Sequence, residues 1–242
     1  MSLESTNFGF EKVLLTAKAK MVDDVFTNVE PFYDKMNDWM SLGSHHRWKK
    51  NAITALCLET HHTVMDLACG SGDLSALIYQ KLDNGRLICV DPNQSMLEHC
   101  RNRLDGEDII FKNQSAESLS LPFKLDRAIL SFGLRNFTNP ELGLSNIHKQ
   151  LKRGGKLVIM EFNPPTSTIC PQAYKSYLNT IIPFLSKSLT NDARSYQYLA
   201  ESIQLQPTPK RRIEMLSDLQ YKCITYSPLQ FGIVGLFEAY RL

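Results

Sequence analysis

Thr63-Val64-Met65-Asp66-Leu67-Ala68-Cys69-Gly70-Ser71-Gly72-Asp73 is the stretch that decides the fold. Residues 63–67 are mostly apolar and fit a short buried strand. Gly70 and Gly72 then break the chain just where a helical spacing begins, over 73–82. A strand that runs through a glycine loop into a helix opens a crossover unit of a parallel sheet. Glycine has no side chain, so a ligand can approach its backbone closely. The first N–H groups of the helix are free to meet that ligand.

The same rhythm continues outward. Strand patterns cover 86–90, ending at Asp91, then 108–111, 126–131 and 156–162. Helical patterns lie at 95–104 and 140–151, the latter stopped by Lys152-Arg153-Gly154-Gly155. Upstream, helices are expected over 23–39, interrupted at Pro31, and over 48–58. Between 163 and 209 the alternation stops, and two helical patterns, 172–189 and 191–205, suggest an insertion over the carboxyl edge of the sheet. A helix at 211–219 and an antiparallel pair at 223–226 and 232–240 would complete seven strands. The expected architecture is one α/β domain over 1–242 with a mostly parallel, Rossmann-like sheet. Its parts are an N-terminal helical lid (1–60), a cofactor-binding half (61–162), the helical insertion (163–209), and a closing helix and strands (210–242).

The 242 residues, 43% hydrophobic and 21% charged, suit a globular chain with a sizeable core. Lys and Arg outnumber Asp and Glu by 27 to 25, too small an excess for a nucleic-acid footprint. No apolar run is long enough to span a bilayer, and the first twenty residues lack the apolar core of a secretory signal. The six cysteines include no C-x-x-C pair. That argues for a reduced cytosolic chain and against a disulfide scaffold or a structural zinc site.

The acids around the glycine loop point to the ligand. Asp66 ends the first strand of the sheet and Asp73 opens the helix, where a dinucleotide fold would seat a pyrophosphate. Carboxylates there repel an anion and suit a ligand with an ammonium and a sulfonium, which describes S-adenosylmethionine. Asp91 can accept both ribose hydroxyls and fits either cofactor. Gly70 and Gly72 alone are equally compatible with a plain capped turn. Small residues in Ser115-Ala116-Glu117 and Ser131-Phe132-Gly133, after the third and fourth strands of the sheet, leave room for a flat base.

Longer signatures carry a resemblance. Asn7-Phe8-Gly9-Phe10, Tyr33-Asp34-x-Met36-Asn37-Asp38-x-Met40-Ser41-x-Gly43-x-His45-x-x-Trp48-Lys49, Ser131-Phe132-Gly133-Leu134-Arg135-Asn136, Asn191-Asp192-Ala193 and Ser195-Tyr196-x-Tyr198-Leu199-Ala200-Glu201-Ser202-Ile203 occur in order along nearly the whole chain. This set resembles the ubiquinone/menaquinone biosynthesis C-methyltransferases, the UbiE-type family. The resemblance implies the seven-stranded methyltransferase fold and methyl transfer from S-adenosylmethionine to a ring carbon of a polyprenylated quinol. It puts cofactor contacts at Ser71, Asp91, Ser115, Ala116 and Ser131. The chain departs from the family pattern at Cys69, where a glycine is usual, at Ser115, where asparagine is usual, and at Arg153, Asn163 and Gln220-Tyr221.

For the chemistry, Arg135 and Asn136 follow the fourth strand, where cofactor and acceptor should meet. A guanidinium is a poor base but can stabilise a developing phenolate or orient a water; it suits a surface salt bridge equally well. Tyr33 is expected to bond Asn136 or the acceptor, or to serve as packing. His45 has a pKa suited to a proton shuttle, although a lone histidine is more often structural. No metal is required. The apolar surface of Tyr174, Tyr177, Leu178, Ile181, Ile182, Phe184, Leu185 and Leu189 fits core packing or a homodimer, or a lipid-tail groove with peripheral contact to the inner membrane. Competing functions are a non-catalytic cofactor-binding subunit and a paralogue acting on another phenol or lipid.

Overall fold

The computed structural model describes residues 5–29, 33–184 and 192–242. Its centre is a seven-stranded sheet of β3 (Thr63–Leu67), β4 (Arg86–Asp91), β5 (Ile109–Asn113), β6 (Leu125–Ser131), β7 (Leu151–Phe162), β8 (Lys222–Leu229) and β9 (Val234–Tyr240). Across the sheet the order is β5-β4-β3-β6-β7-β9-β8, with β9 antiparallel to both β7 and β8. The chain reverses its direction of travel across the sheet between β3 and β6, which places a ligand crevice at their carboxyl ends.

Period-two alternation sets the two faces of the sheet. Met65, Leu67, Ile88, Val90, Ala128, Leu130, Leu157 and Ile159 pack on one face, beneath α6 (Pro140–Gln150) and α9 (Pro209–Asp218). Val64, Leu87, Cys89, Ile129, Val158 and Met160 pack on the other, beneath α3 (Ser44–Leu56), α4 (Asp73–Tyr79) and α5 (Gln94–Arg103). Asp66 has the parity of Val64, so its carboxylate enters the second, otherwise apolar layer.

The N-terminus differs from the expected lid of helices alone. A hairpin, β1 (Ser5–Phe8) and β2 (Glu11–Leu14), precedes α1 (Leu15–Val29) and α2 (Tyr33–Ser41). Gly9 turns it at φ 57°, and Phe8 stacks 4.1 Å from the ring of Tyr198 on α8 (Ala193–Gln204). Tertiary docking holds a segment too short and polar to read as strands. The Lys152-Arg153-Gly154-Gly155 run is a tight turn within β7: Gly154 adopts φ 78°, and a Cβ on Gly155 would lie 2.8 Å from Lys152 O, so pairing with β6 skips from Leu151 to Lys156. Gly154 N donates to Arg241 O at 2.6 Å and Arg241 N to Gly155 O at 3.0 Å, so backbone pairing continues past the helix stop. The first insertion helix is split: α7 (Pro171–Ser176) runs into a π turn over Tyr177–Ile181 just before Pro183, which has no N–H to continue a regular helix. Leu185, Leu189 and Asn191 lie outside the described residues. Among the described residues, no helix is long and apolar enough to cross a membrane.

Candidate active site

The crevice floor is made of two loops in contact. Ala68 after β3 and Phe132 after β6 both adopt left-handed backbone, at φ 54° and 53°. A Cβ on Gly133 would sit 2.6 Å from Ala68 Cβ, so only glycine lets the loops meet. Gly72 is equally constrained: its φ is 80°, and a Cβ there would lie 2.5 Å from Cys100 Sγ.

Three carboxylates surround this floor in different states. Asp66 is 1% exposed yet lines the cavity, and the Ser75 hydroxyl donates to it at 2.5 Å. Burial pushes its carboxyl up to about 7, against the lowering effect of the Ser75 bond. Asp91 accepts Gly70 N at 2.8 Å and Asn93 N at 2.9 Å, tying the glycine loop to the end of β4. Burial raises it to about 6, with both backbone bonds opposing. Asp73 is salt-bridged to Lys49 and lies 3.7 Å from Arg103. Burial pushes Asp73 up, but these cations outweigh it and hold the acid below its usual range. The Asp73 charge is therefore met by Lys49 and Arg103, whereas Asp66 faces the same cavity from the apolar layer.

Across the crevice stands Arg135, in a short 3-10 turn after β6 (Leu134–Asn136). Its guanidinium meets Glu161 of β7 at 3.1 Å, bonds Phe132 O, and lies 5.7 Å from the Phe162 ring centroid. Glu161 is completely buried and also accepts the backbone N–H groups of Arg135 and Phe162. Among the described residues, Arg135 Nε has no hydrogen-bond partner. Asn136 faces away from the cavity, and its Oδ1 accepts the Tyr198 hydroxyl at 3.0 Å. The phenol of Tyr198 is pushed up to about 12 by burial, so it acts as a donor.

Asp66, Ser71, Ser131 and Arg135 all line one cavity of about 610 Å³. Gly70 and Gly72 form its loop, and Asp91 lies behind Gly70. Ser115 caps the turn Ala116–Ser118 by accepting Ser118 N at 3.3 Å, and the Ala116 side chain packs in the core; neither lines the cavity. The Tyr33 side chain lies outside the described residues. His45 does line the cavity, with Nδ1 2.9 Å from Ser41 Oγ; burial first, then the Lys49 charge, keeps it below the ordinary histidine range and neutral.

The roof comes from both ends of the chain. Asn93 Nδ2 bonds Asp23 Oδ1 and Thr27 Oγ1 of α1, at 2.7 and 2.9 Å, and Tyr177 donates to Met40 O of α2 at 2.6 Å. Tyr174, Leu178 and Ile182 of the insertion pack with Tyr196, Ala200 and Ile203. Sequence reasoning missed Glu161, Asn93 and the role of Tyr198. Glu161 sits inside an apolar run that reads simply as a strand. Tyr198 did belong to the Ser195-Tyr196-x-Tyr198 signature, which was the available signal.

A model of the ubiE/COQ5 methyltransferase family matches residues 14–241. The ubiquinone/menaquinone biosynthesis C-methyltransferase UbiE of Pseudoalteromonas translucida is 37% identical over 98% of this chain and 97% of its own length. Its namesake from Methylococcus capsulatus is 37% identical over the full length of both. Magnesium protoporphyrin IX methyltransferase from Synechocystis, solved with bound S-adenosylhomocysteine, superposes with a TM-score of 0.64 at 16% identity, covering 92% of this chain and 99% of that one. The methyltransferase complexed with the Haloferax volcanii Trm112 activator gives 0.65 at 15% identity, covering 89% and 96%. These two structures share the fold.

Proposed function

The chain belongs to the ubiE/COQ5 methyltransferase family and is an S-adenosylmethionine-dependent methyltransferase, and on that premise we propose that it methylates a ring carbon of a polyprenylated quinol in ubiquinone or menaquinone biosynthesis. The acceptor is a demethylmenaquinol, a 2-methoxy-6-polyprenyl-1,4-benzoquinol, or both. The observation that carries the proposal is the buried Arg135, held by Glu161, across the same cavity from the buried, cation-seeking Asp66.

The residues present fit the cofactor. Asp66 would take the ammonium. Gly70, Ser71 and Gly72 would offer loop groups to the amino-acid end, Asp91 would accept the ribose hydroxyls, and Ser131 would lie beside the adenine, with Ser115 and Ala116 behind the wall of the cavity. When bound, S-adenosylmethionine supplies a methyl group already activated by its sulfonium. The protein has to make the quinol carbon nucleophilic and exclude water. Arg135 does the first by stabilising negative charge on the ring oxygen as its proton leaves, or by orienting the water that takes the proton. Asn136, held by Tyr198 outside the cavity, steadies the turn that carries Arg135. The roof of α1, α2 and the insertion, a lid over the crevice, excludes solvent.

The rest of the cavity is apolar, lined by Phe26, Met40, Tyr174, Leu178, Ile182 and Leu199 among others, which suits a prenyl tail. At its rim Leu42, Ile169 and Phe231 are 89%, 74% and 71% exposed. We assign that rim to peripheral membrane contact, where a water-insoluble acceptor enters.

The test is anaerobic incubation with methyl-labelled S-adenosylmethionine and each reduced acceptor, read by mass spectrometry. Label on a ring carbon is the expected result and selects the acceptor. Cofactor binding without label on either acceptor would overturn the quinol assignment.

A further inference from the structure

Cys69, Cys89 and Cys100 lie 20 and 11 residues apart in sequence, with no ligand-like spacing, yet their three sulfurs all fall within 4.8 Å of one another. Each comes from a different element: the glycine loop, β4 and α5. The sheet register explains the meeting. Cys89 is the cross-strand partner of Asp66, so it points into the layer beneath α4 and α5. Gly72 rests on Cys100, and the loop carries Cys69 over both. All three thiols are free; Cys89 and Cys100 are fully buried and Cys69 is 7% exposed.

We propose that Cys69, Cys89 and Cys100 form a binding site for a thiophilic divalent d10 cation of the zinc class, directly beneath the cofactor loop. Metal–sulfur bonds of about 2.3 Å place ligating sulfurs roughly 4 Å apart, so this triangle needs only a small contraction. Three different elements, each fixed by the fold, hold the ligands, and the sulfurs are soft donors. Cys89 donates to Ser75 Oγ at 3.5 Å and Ser75 donates to Asp66; on metal binding Cys89 would lose that proton, and the Ser75 hydroxyl would turn from Asp66 to the thiolate. A divalent ion leaves one net negative charge on three thiolates, whereas a monovalent ion leaves two beside the Asp66 and Asp91 carboxylates. Binding by a divalent ion displaces protons from the thiols and forms three metal–thiolate bonds, with no redox change. Cys69 lines the cavity and is the point of entry.

The site is independent of the acceptor assignment and can be tested without turnover. Cd2+ alone serves as the probe, titrated into the reduced full chain and followed by the sulfur-to-metal charge-transfer band. Exposed Cys57, Cys170 and Cys223 are first replaced together by serine. One Cd2+ per chain in that background, displaced by Zn2+ and accompanied by a higher melting temperature, is the expected result. Cys89→Ala and Cys100→Ala should each weaken it by more than the roughly 10–100-fold that loss of an outer-shell partner causes. Cys69→Gly tests the same point with a residue suited to a tight loop, should the buried replacements fail to fold. Loss of binding when only the exposed cysteines are removed, or unchanged binding in Cys69→Gly, would overturn the proposal.

Discussion

Arg135 and Glu161 form a 3.1 Å ion pair with side chains 7% and 0% exposed, uniting the turn after β6 with the end of β7. Both Glu161 oxygens also accept backbone N–H groups, from Arg135 and Phe162. The carboxylate therefore sets the position of the whole turn as well as its guanidinium. Glu161→Ala leaves a buried cation without its counter-charge, which destabilises by about 3–5 kcal/mol. Urea denaturation should show this. Glu161→Gln keeps one acceptor oxygen and sets an NH2 against an N–H at the other position, so it should retain more stability than alanine but less than wild type, while lowering kcat with little change in cofactor affinity.

Arg135→Lys should behave as a strong mutation. Lysine keeps the charge but not the planar fork that bonds Glu161 and Phe132 O together. If the guanidinium stabilises charge on the ring oxygen, kcat falls by about 10²–10³. The cofactor Kd, measured by calorimetry, should stay close to wild type. Equal loss of both would point to a collapsed cavity instead.

Tyr198→Phe removes the donor to Asn136 Oδ1 and leaves that oxygen without its bond. The stability loss should be about 1–3 kcal/mol, since the ring itself, stacked on Phe8, is retained. A smaller drop in kcat than for Arg135→Lys is expected, because the Tyr198 hydroxyl is bonded to Asn136 and brings no charge to the cavity. Double-mutant cycles with Asn136→Ala should show strong coupling between the two sites.

The sheet was legible because its central unit is local: one strand, a glycine loop and a helix start lie within 63–73. Asp66 and Asp91 were legible for the same reason, since strand ends can be counted. Glu161 was not. In Lys156-Leu157-Val158-Ile159-Met160-Glu161-Phe162 the acid reads as a strand end, and only the pairing of β6 with β7 brings it under Arg135. The three cysteines were invisible for a related reason: their meeting depends on the Asp66–Cys89 register, which a linear spacing rule cannot contain. The N-terminal hairpin has little apolar patterning of its own and is held by Phe8 on Tyr198 and by Phe10 N on Glu201.

The exposed rim makes a prediction about membranes. Leu42, Ile169 and Phe231 line the cavity yet stand in water. Burying one such side chain in an apolar phase yields about 1.5–3 kcal/mol. Replacing any one by Glu should therefore lower partitioning onto lipid vesicles at least about tenfold. Vesicle flotation measures it, with cofactor affinity as the control for folding. Equal flotation of wild type and all three variants would remove the rim from the route of acceptor entry.

If Asp66 takes the ammonium of the cofactor, cofactor binding depends on pH with a defined sign. Burial raises the Asp66 carboxyl from 3.8 to about 7 in the folded protein. The folded state thus holds a proton over a window where the unfolded chain has released it. Stability from this group is present below the unfolded value and is lost as pH rises through about 7, by on the order of a few kcal/mol. Asp91, raised to about 6, adds to the same trend. Asp66→Asn should accordingly make the cofactor-free protein more stable than wild type above neutrality, with the advantage fading toward acid pH. The ligand reverses the preference. Pairing with an ammonium favours the carboxylate, so cofactor binding should release a proton below pH 7 and weaken as pH falls. In Asp66→Asn the Kd should be higher and should lose most of that slope. Calorimetry in buffers of different ionisation enthalpy measures the proton directly. A cofactor affinity with the same pH slope in Asp66→Asn as in wild type would take the ammonium away from Asp66.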